Sequence, residues 1–184
     1  MGDPIRIHLN YQDYLSMPDD GRRYEILEGD LAMTPSPVVN HQRLVARLYL
    51  LFQHWVESGA GGEVFLAPLT VILADDDVVE PDLFWISAAR IPGLVKKHVH
   101  GAPDIVVEIL SPSSARRDRT VKSRVYHRHG VKEYWLVDPA SRSITLLTRE
   151  ADGYVTYASG TGDQPLSSKL DPNLEVVPGK LFDS

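Results

Sequence analysis

The centre of the chain reads Pro103-Asp104-Ile105-Val106-Val107-Glu108-Ile109-Leu110, a run whose last six residues are apolar except for Glu108. A shorter run of the same kind lies upstream at Glu80-Pro81-Asp82-Leu83-Phe84-Trp85-Ile86, where Asp82 comes directly before the apolar residues. Short, nearly continuous apolar runs are typical of buried strands. A carboxylate in such a strand is costly to bury unless a cation or hydrogen bonds pair with it. We therefore expect both acids to have charged partners close by.

A basic helix further along the chain supplies a candidate partner. It is predicted over Asp118-Arg119-Thr120-Val121-Lys122-Ser123-Arg124-Val125-Tyr126, in which Asp118, Lys122 and Tyr126 are four residues apart and share one face. Two carboxylates and an ammonium group suit metal-dependent phosphodiester hydrolysis, with Mg²⁺ as the preferred ion.

Each of these assignments has a purely structural alternative. Asp82 could be a turn residue, and Glu108 could pair with an arginine. Asp118 and Lys122 could form an exposed ion pair, which would contribute only about 0.3–0.5 kcal/mol.

The composition is that of an ordinary globular protein. With 184 residues, the chain is expected to fold as one domain over 1–184. It contains no cysteine, which excludes disulfides and thiolate metal sites. No apolar run approaches the length of a membrane span, so we expect a cytoplasmic protein with no membrane partner.

The charge is unevenly distributed along the chain. The net charge of −6 argues against a surface that binds nucleic acid throughout. Between Ala115 and Lys132, however, seven basic residues face one acidic residue, a local excess of +6. A solvated helix face is one interpretation of this stretch, and contact with a nucleic-acid backbone is the other. The candidate contact residues are Arg116, Arg117, Arg119 and Arg124.

Periodicity and turn residues predict a mixed order of helices and strands. We expect a hairpin over 23–33 that turns at Glu28-Gly29-Asp30, a helix from an Asn40 cap to about Ser58, and one strand over 64–73 that Pro68 bends. Asp75-Asp76-Asp77 is predicted to be a turn. Strands follow at 83–86, 105–110 and 133–137, with a helix over about 111–130 between the last two. This order indicates an α/β fold with a mixed β-sheet flanked by helices.

These residues resemble the Uma-two family of restriction-endonuclease-like proteins, within the PD-(D/E)XK nuclease superfamily. The resemblance covers about residues 11–182, and the order and spacing of its motifs are specific. The matching segments are Tyr24-Glu25-Ile26-Leu27-Glu28-Gly29, His41, Pro81-Asp82-Leu83, Gly101-Ala102-Pro103-Asp104, Val107-Glu108-Ile109-Leu110-Ser111-Pro112-Ser113, Asp118, Lys122, Tyr126 and Gly130-Val131-Lys132-Glu133-Tyr134-Trp135.

The resemblance implies a restriction-endonuclease-like fold and a role for each motif. Asp82 and Glu108 would hold the metal ion, and Lys122 would assist catalysis. The simplest superfamily pattern has its lysine two residues after the glutamate, where this chain has Leu110. In families like this one the lysine comes from the following helix, which indicates Lys122. The possible supporting residues are Glu28, His41, Ser111, Asp118 and Tyr126; the alternatives are a turn residue for Glu28, a structural histidine for His41 and a helix cap for Ser111.

The function that the resemblance implies is Mg²⁺-dependent endonuclease cleavage of DNA. The products would carry 5′-phosphates, Mn²⁺ would substitute for Mg²⁺, and the protein would act as a homodimer. Two alternatives stay open. One is a non-catalytic nuclease-fold module that binds nucleic acid or protein, and the other is a metal-dependent enzyme that acts on RNA or other phosphoesters.

Overall fold

The computed structural model describes residues 7–18, 20–34 and 36–183. Its helices are α1 Tyr11–Leu15, α2 Val39–Trp55, α3 Ile91–Leu94, α4 Ala115–Arg117, α5 Ser123–His129 and α6 Pro178–Asp183. Its strands are β1 Arg23–Leu27, β2 Asp30–Thr34, β3 Glu63–Leu66, β4 Val71–Ala74, β5 Asp77–Val79, β6 Leu83–Ile86, β7 Val99–His100, β8 Ile105–Ile109, β9 Glu133–Asp138, β10 Ser143–Glu150, β11 Gly153–Thr161, β12 Leu166–Ser167 and β13 Glu175–Val176. A π-helical turn, Val56–Ala60, continues α2, and a second one, Asp118–Lys122, joins α4 to α5.

The larger sheet contains six strands in the order β11-β10-β9-β8-β6-β3. Its strands pair antiparallel, except that β8 and β9 are parallel and are joined by the crossover through α4 and α5. Strand β8 is buried along its whole length, as its apolar run predicts. The arrangement confirms the predicted mixed sheet flanked by helices.

The two faces of this sheet bury different residues because side chains alternate along a strand. On one face Val107 packs in a cluster with Leu44 and Phe52 of α2. On the other face Val106 packs in a cluster with Val125 of α5. Each fully buried side chain of this size contributes about 1.5–3 kcal/mol to folding. Since residues two apart share a face, Glu108 projects to the same side as Val106, towards α5.

Helix α2 carries the predicted apolar stripe but begins differently. Leu44, Leu48, Phe52 and Trp55 are all buried. The cap is Val38, which makes no side-chain hydrogen bond to the helix, so the predicted Asn40 cap is wrong.

The smaller sheet has the order β2-β1-β5-β4-β7. The β1–β2 hairpin turns where predicted, with positive φ angles of 54° at Glu28 and 76° at Gly29. The positive φ of Gly29 is a backbone conformation that favours glycine, and a Cβ atom there would also displace the exposed side chain of His8.

The predicted single strand over 64–73 is wrong. The chain forms β3 and β4 instead, and these strands belong to different sheets. Pro68 lies between them, after a cis peptide bond with Ala67. Because proline has no N–H to donate to a strand ladder, the apolar run is divided at this residue.

The predicted helix over about 111–130 is helical from 115 to 129. It ends at Gly130, which has a left-handed φ of 88° and therefore suits glycine. Among the residues described, no helix is both long enough and apolar enough to cross a membrane.

A buried acid connects α5 to the smaller sheet. Asp77 was predicted in a turn but begins β5, with its side chain 1% exposed. Its carboxylate accepts hydrogen bonds from the backbone N–H of Glu28 at 2.8 Å and from the side chains of Arg128 at 2.5 Å and His129 at 2.7 Å. Burial alone would raise the pKa of Asp77, but these partners lower it to about 2.

We expect Asp77→Asn to lower the free energy of unfolding by about 2 kcal/mol at pH 7. The folded-state pKa lies below the unfolded value, so this contribution is present above pH ~4 and is lost as the pH falls towards 2. Urea unfolding at several pH values measures the difference between the two proteins. Asp75→Asn is the matched control, because Asp75 is exposed in the turn that precedes β5. A difference between wild type and Asp77→Asn that stays constant from pH 7 to pH 3 would contradict the assignment.

Candidate functional site

Asp82 and Glu108 lie side by side on neighbouring strands. Strands β6 and β8 pair antiparallel with Leu83 opposite Val107, so continuing the register by one residue places Asp82 opposite Glu108. The backbone N–H of Ile109 donates a 2.9 Å hydrogen bond to Oδ2 of Asp82. Asp82 is 5% exposed and Glu108 is 3% exposed, so the sheet holds two carboxylates almost out of water.

The side chain of Lys122 extends from the end of the π-helical turn to Glu108. Its Nζ lies 2.8 Å from Oε1 of Glu108 and 2.8 Å from Oε1 of Glu25. Tyr126 donates a 2.7 Å hydrogen bond to the same oxygen of Glu108, and a carboxylate oxygen of Asp118 lies 4.0 Å from the lysine. Asp118, Lys122 and Tyr126 are all buried, so the alternative of an exposed ion pair is wrong.

Glu25 is the acid that the sequence analysis missed. It is buried in β1, and one of its oxygens accepts the backbone N–H of Glu80 at 2.9 Å as well as binding Lys122. Its other oxygen, Oε2, is buried and has no hydrogen-bond partner among the described residues. The sequence pattern that indicates Glu108, a single acid within an apolar run, also occurs at Glu25 in Tyr24-Glu25-Ile26-Leu27.

Glu28 does not lie at this site, which corrects the prediction made from the resemblance. It occupies the hairpin turn, as the alternative assignment of Glu28 as a turn residue predicted. Its carboxylate binds Arg124 at 2.8 Å and Arg128 at 3.4 Å. Its side chain faces α5, whereas that of Glu25 is buried.

His41 and Arg23 contact the outer side of Asp82. His41 Nε2 lies 3.0 Å from Oδ2 of Asp82, and Arg23 Nη1 lies 3.4 Å from Oδ1. Arg23 also binds Glu80, whose carboxylate accepts a 2.9 Å hydrogen bond from the hydroxyl group of Tyr14. His41 therefore contacts a candidate metal ligand, and Arg23 is a second residue that the sequence analysis missed.

The two central carboxylates have opposite pKa shifts. Burial would raise the pKa of Asp82, but the hydrogen bond and charge of His41, the N–H of Ile109 and the charge of Arg23 lower it. Burial raises the pKa of Glu108, and the negative charge of Asp82 adds to this, whereas the charge of Lys122 lowers it. Burial would lower the pKa of Lys122, but the carboxylates around it, Glu108 first, raise it. The lysine is therefore held as an ammonium ion.

The cluster is negatively charged when its acids are ionised. Five carboxylates face two permanent cations, which leaves an excess of three negative charges. The acids are Glu25, Glu80, Asp82, Glu108 and Asp118, and the cations are Arg23 and Lys122. Within the described residues no three His, Asp or Glu side chains are already arranged to hold a metal ion.

The donor set nevertheless fits a hard divalent cation. Mg²⁺ usually keeps several waters and binds proteins through one or two carboxylates. Asp82 and Glu108 offer such a pair, and the unpartnered Oε2 of Glu25 is a further acceptor on the same cluster. An ion here would also offset part of the excess negative charge.

A cavity of about 740 Å³ opens onto this cluster. Asp82, Glu108 and Lys122 all line it, together with Ser111 and Arg117. The hydroxyl of Ser111 accepts the backbone N–H of Ser114 at 3.2 Å in the turn before α4, whose cap is Ser114, so Ser111 is not the helix cap. The predicted catalytic residues therefore share one accessible space.

We expect Lys122→Met to lower the free energy of unfolding by about 3 kcal/mol or more, because it leaves Glu25 and Glu108 buried without their cation. Chemical denaturation at pH 7 measures the loss. Arg124→Met is the control, since that arginine is 61% exposed and its ion pair with Glu28 contributes about 1 kcal/mol or less. Adding Glu25→Gln to Lys122→Met should restore part of the stability. Equal losses in Lys122→Met and Arg124→Met would contradict the structure.

The chain is similar to proteins described as nucleases. The model of the Uma2 family, described as "Putative restriction endonuclease", matches residues 11–177. A solved structure, described as a "putative nuclease belonging to DUF820" from Anabaena variabilis ATCC 29413, is 20% identical with a TM-score of 0.79. The alignment covers 95% of this chain and 98% of that chain, and at this identity it shows the shared fold. No curated protein is significantly similar to the chain. The predicted restriction-endonuclease-like fold is confirmed, and the chain belongs to the Uma2 family.

Proposed function

We propose that the protein is a nuclease that hydrolyses phosphodiester bonds in DNA, with Mg²⁺ held by Asp82 and Glu108. The observation that carries the proposal is the convergence of these two acids and Lys122, from two strands and a helix, on one cavity. Membership of the Uma2 family supports the same class of reaction. The bound ion would polarise the scissile phosphate and lower the pKa of a coordinated water.

Lys122 is placed to stabilise charge on the reacting phosphate. An ammonium group has three N–H donors, and Glu25 and Glu108 take two of them. The third makes no hydrogen bond among the described residues, with the nearest oxygen of Asp118 4.0 Å away, and can donate to a phosphate oxygen or to the attacking water. Because the group is buried and held in place by two carboxylates, it needs little reorganisation when negative charge develops in the transition state.

His41 and Arg23 position Asp82. Together with the N–H of Ile109 they supply three donors to its carboxylate, which fixes its orientation and keeps it ionised at neutral pH. A correctly oriented, ionised carboxylate is the form that a cation requires.

In the proposed reaction the oxygen of a water molecule bonds to phosphorus and the bond from phosphorus to O3′ breaks. The water loses one proton to the medium, and the leaving O3′ atom gains one. The products are a 3′-hydroxyl and a 5′-phosphate. Chemical analysis of the ends of a cleaved oligonucleotide tests this polarity.

Calorimetry with Mn²⁺ and Mg²⁺ tests the metal site. We expect wild type to bind the ion, and Asp82→Asn and Glu108→Gln to bind it at least about tenfold more weakly, because each loses a charged oxygen ligand. Glu28→Gln is the matched control, since the structure places that acid outside the cluster and it should bind like wild type. Absence of binding in the wild-type protein would remove the basis of the proposal.

Cleavage of labelled DNA tests the reaction itself. We expect Lys122→Met and Asp82→Asn to lower the rate about 100-fold or more, because the first removes a positive charge at the reacting phosphate and the second weakens binding of the ion. Circular dichroism at the assay temperature must show that each variant is folded. Cleavage by a folded Asp82→Asn variant at the wild-type rate would contradict the proposal.

A non-catalytic module is the second candidate function. It is favoured by the ion pairs of Lys122, which satisfy Glu108 without a metal, and by the lack of a preformed three-ligand group in the described part of the chain. This alternative predicts nucleic-acid binding that is unaffected by Mg²⁺ and no cleavage of DNA, RNA or a small phosphodiester.

A further inference from the structure

The arginines of the basic stretch differ in what they contact. Arg119 Nη2 lies 2.9 Å from Oδ2 of Asp138, and Arg124 Nη2 lies 2.8 Å from Oε2 of Glu28. Each of these cations is therefore paired with an acid of another element. Their charge is largely offset before any ligand approaches, although both side chains are exposed.

Arg117 differs from Arg119 and Arg124 because most of its N–H groups make no hydrogen bond to another described residue. Its Nη2 lies 3.4 Å from the hydroxyl oxygen of Thr34, which is a weak contact at most. Its Nε is buried without a hydrogen-bond partner among the described residues. A buried donor without an acceptor costs free energy, which an incoming anion would recover. Arg117 also lines the cavity that contains Asp82 and Glu108.

The rest of the cavity wall is largely apolar. Pro37, Val38, Leu110, Pro112 and Pro139 contribute to it. These side chains can contact a sugar and the edge of a base, whereas a bare phosphate ion would gain nothing from them. Among the described residues that line the cavity there is no Phe, Tyr or Trp, and its one aromatic ring is the imidazole of His41, which is bound to Asp82.

The size of the cavity limits what can reach the acids. Its volume of about 740 Å³ is in the range of pockets for single small molecules. The carboxylates inside are at most 5% exposed, so a phosphate has to enter the cavity to meet them. A nucleotide of an unpaired strand can enter directly, whereas a nucleotide of an intact duplex has first to be unpaired and unstacked, which costs free energy.

We propose that this cavity binds one nucleotide unit of an unpaired DNA strand, with Arg117 contacting the phosphate next to the one that is cleaved. The inference rests on the proposed function for the identity of the reacting phosphate. Substrates of this class are single strands, flaps and frayed ends. The cavity wall supplies sequence-independent contacts, and Arg117 supplies the charge that orients the strand.

Fluorescence anisotropy with labelled oligothymidylate, free or annealed to its complement, tests this inference. Ca²⁺ replaces Mg²⁺, because it takes the same oxygen ligands, and a denaturing gel confirms that the strand is intact. We expect the single strand to bind at least about tenfold more tightly than the duplex. We also expect Arg117→Gln to weaken single-strand binding about tenfold, as the loss of a charge-assisted hydrogen bond predicts.

Arg119→Gln and Arg124→Gln are the matched controls, since each removes one positive charge from the same stretch. We expect them to weaken single-strand binding less than about threefold, because their guanidinium groups are already paired. Arg117→Lys should recover part of the affinity. Equal binding of duplex and single strand, or equal losses in the three glutamine variants, would overturn the inference.

The metal calorimetry separates failure of this inference from failure of the proposed function. If the ion binds through Asp82 and Glu108 but duplex and single strand bind equally, the inference about the cavity is wrong and the proposed nuclease stands. If the ion does not bind, the proposed function is wrong whatever the strands do.

Discussion

The buried ammonium group of Lys122 is the interaction on which the site depends. It is shared between Glu25 of the smaller sheet and Glu108 of the larger sheet, so one side chain joins both sheets to the crossover helix. Removing each charge from water costs several kcal/mol, and this cost is offset only while all three groups stay in place. The geometry of the candidate site and the stability of the fold are therefore coupled.

The π-helical turn Asp118–Lys122 gives the helix the shape that this contact needs. A π turn holds more residues than an α turn, so it changes which residues face inward, and such turns are frequent at functional sites. Here Asp118 and Lys122, at its two ends, both point into the core. Arg119 and Arg124 remain exposed and pair with Asp138 and Glu28. The same segment thus supplies a buried lysine and an exposed basic surface.

The sequence predicts the central acids because an isolated carboxylate in an apolar run is a strong signal that depends only on neighbouring residues. Four-residue spacing on a helix, which is also local, places Asp118, Lys122 and Tyr126 on one face, and the family resemblance indicates Lys122 as the lysine of the site. The choice between Glu25 and Glu28 depends instead on which side of a hairpin each acid faces and on the position of α5. The pairing of the arginines and the division of residues 64–73 between two sheets depend on contacts between distant segments. Local sequence patterns therefore do not predict these two features.

Under the proposed function the site has to satisfy two opposed electrostatic demands. The carboxylates that attract a cation also repel the phosphate to be cleaved, and with all of them ionised the cluster carries three excess negative charges. A divalent ion offsets two of these charges. Binding of the ion therefore strengthens binding of the phosphate, and binding of the phosphate strengthens binding of the ion to the same degree, as thermodynamic linkage requires. Arg117, on the cavity wall and with its Nε unpaired among the described residues, provides attraction that the buried acids cannot supply.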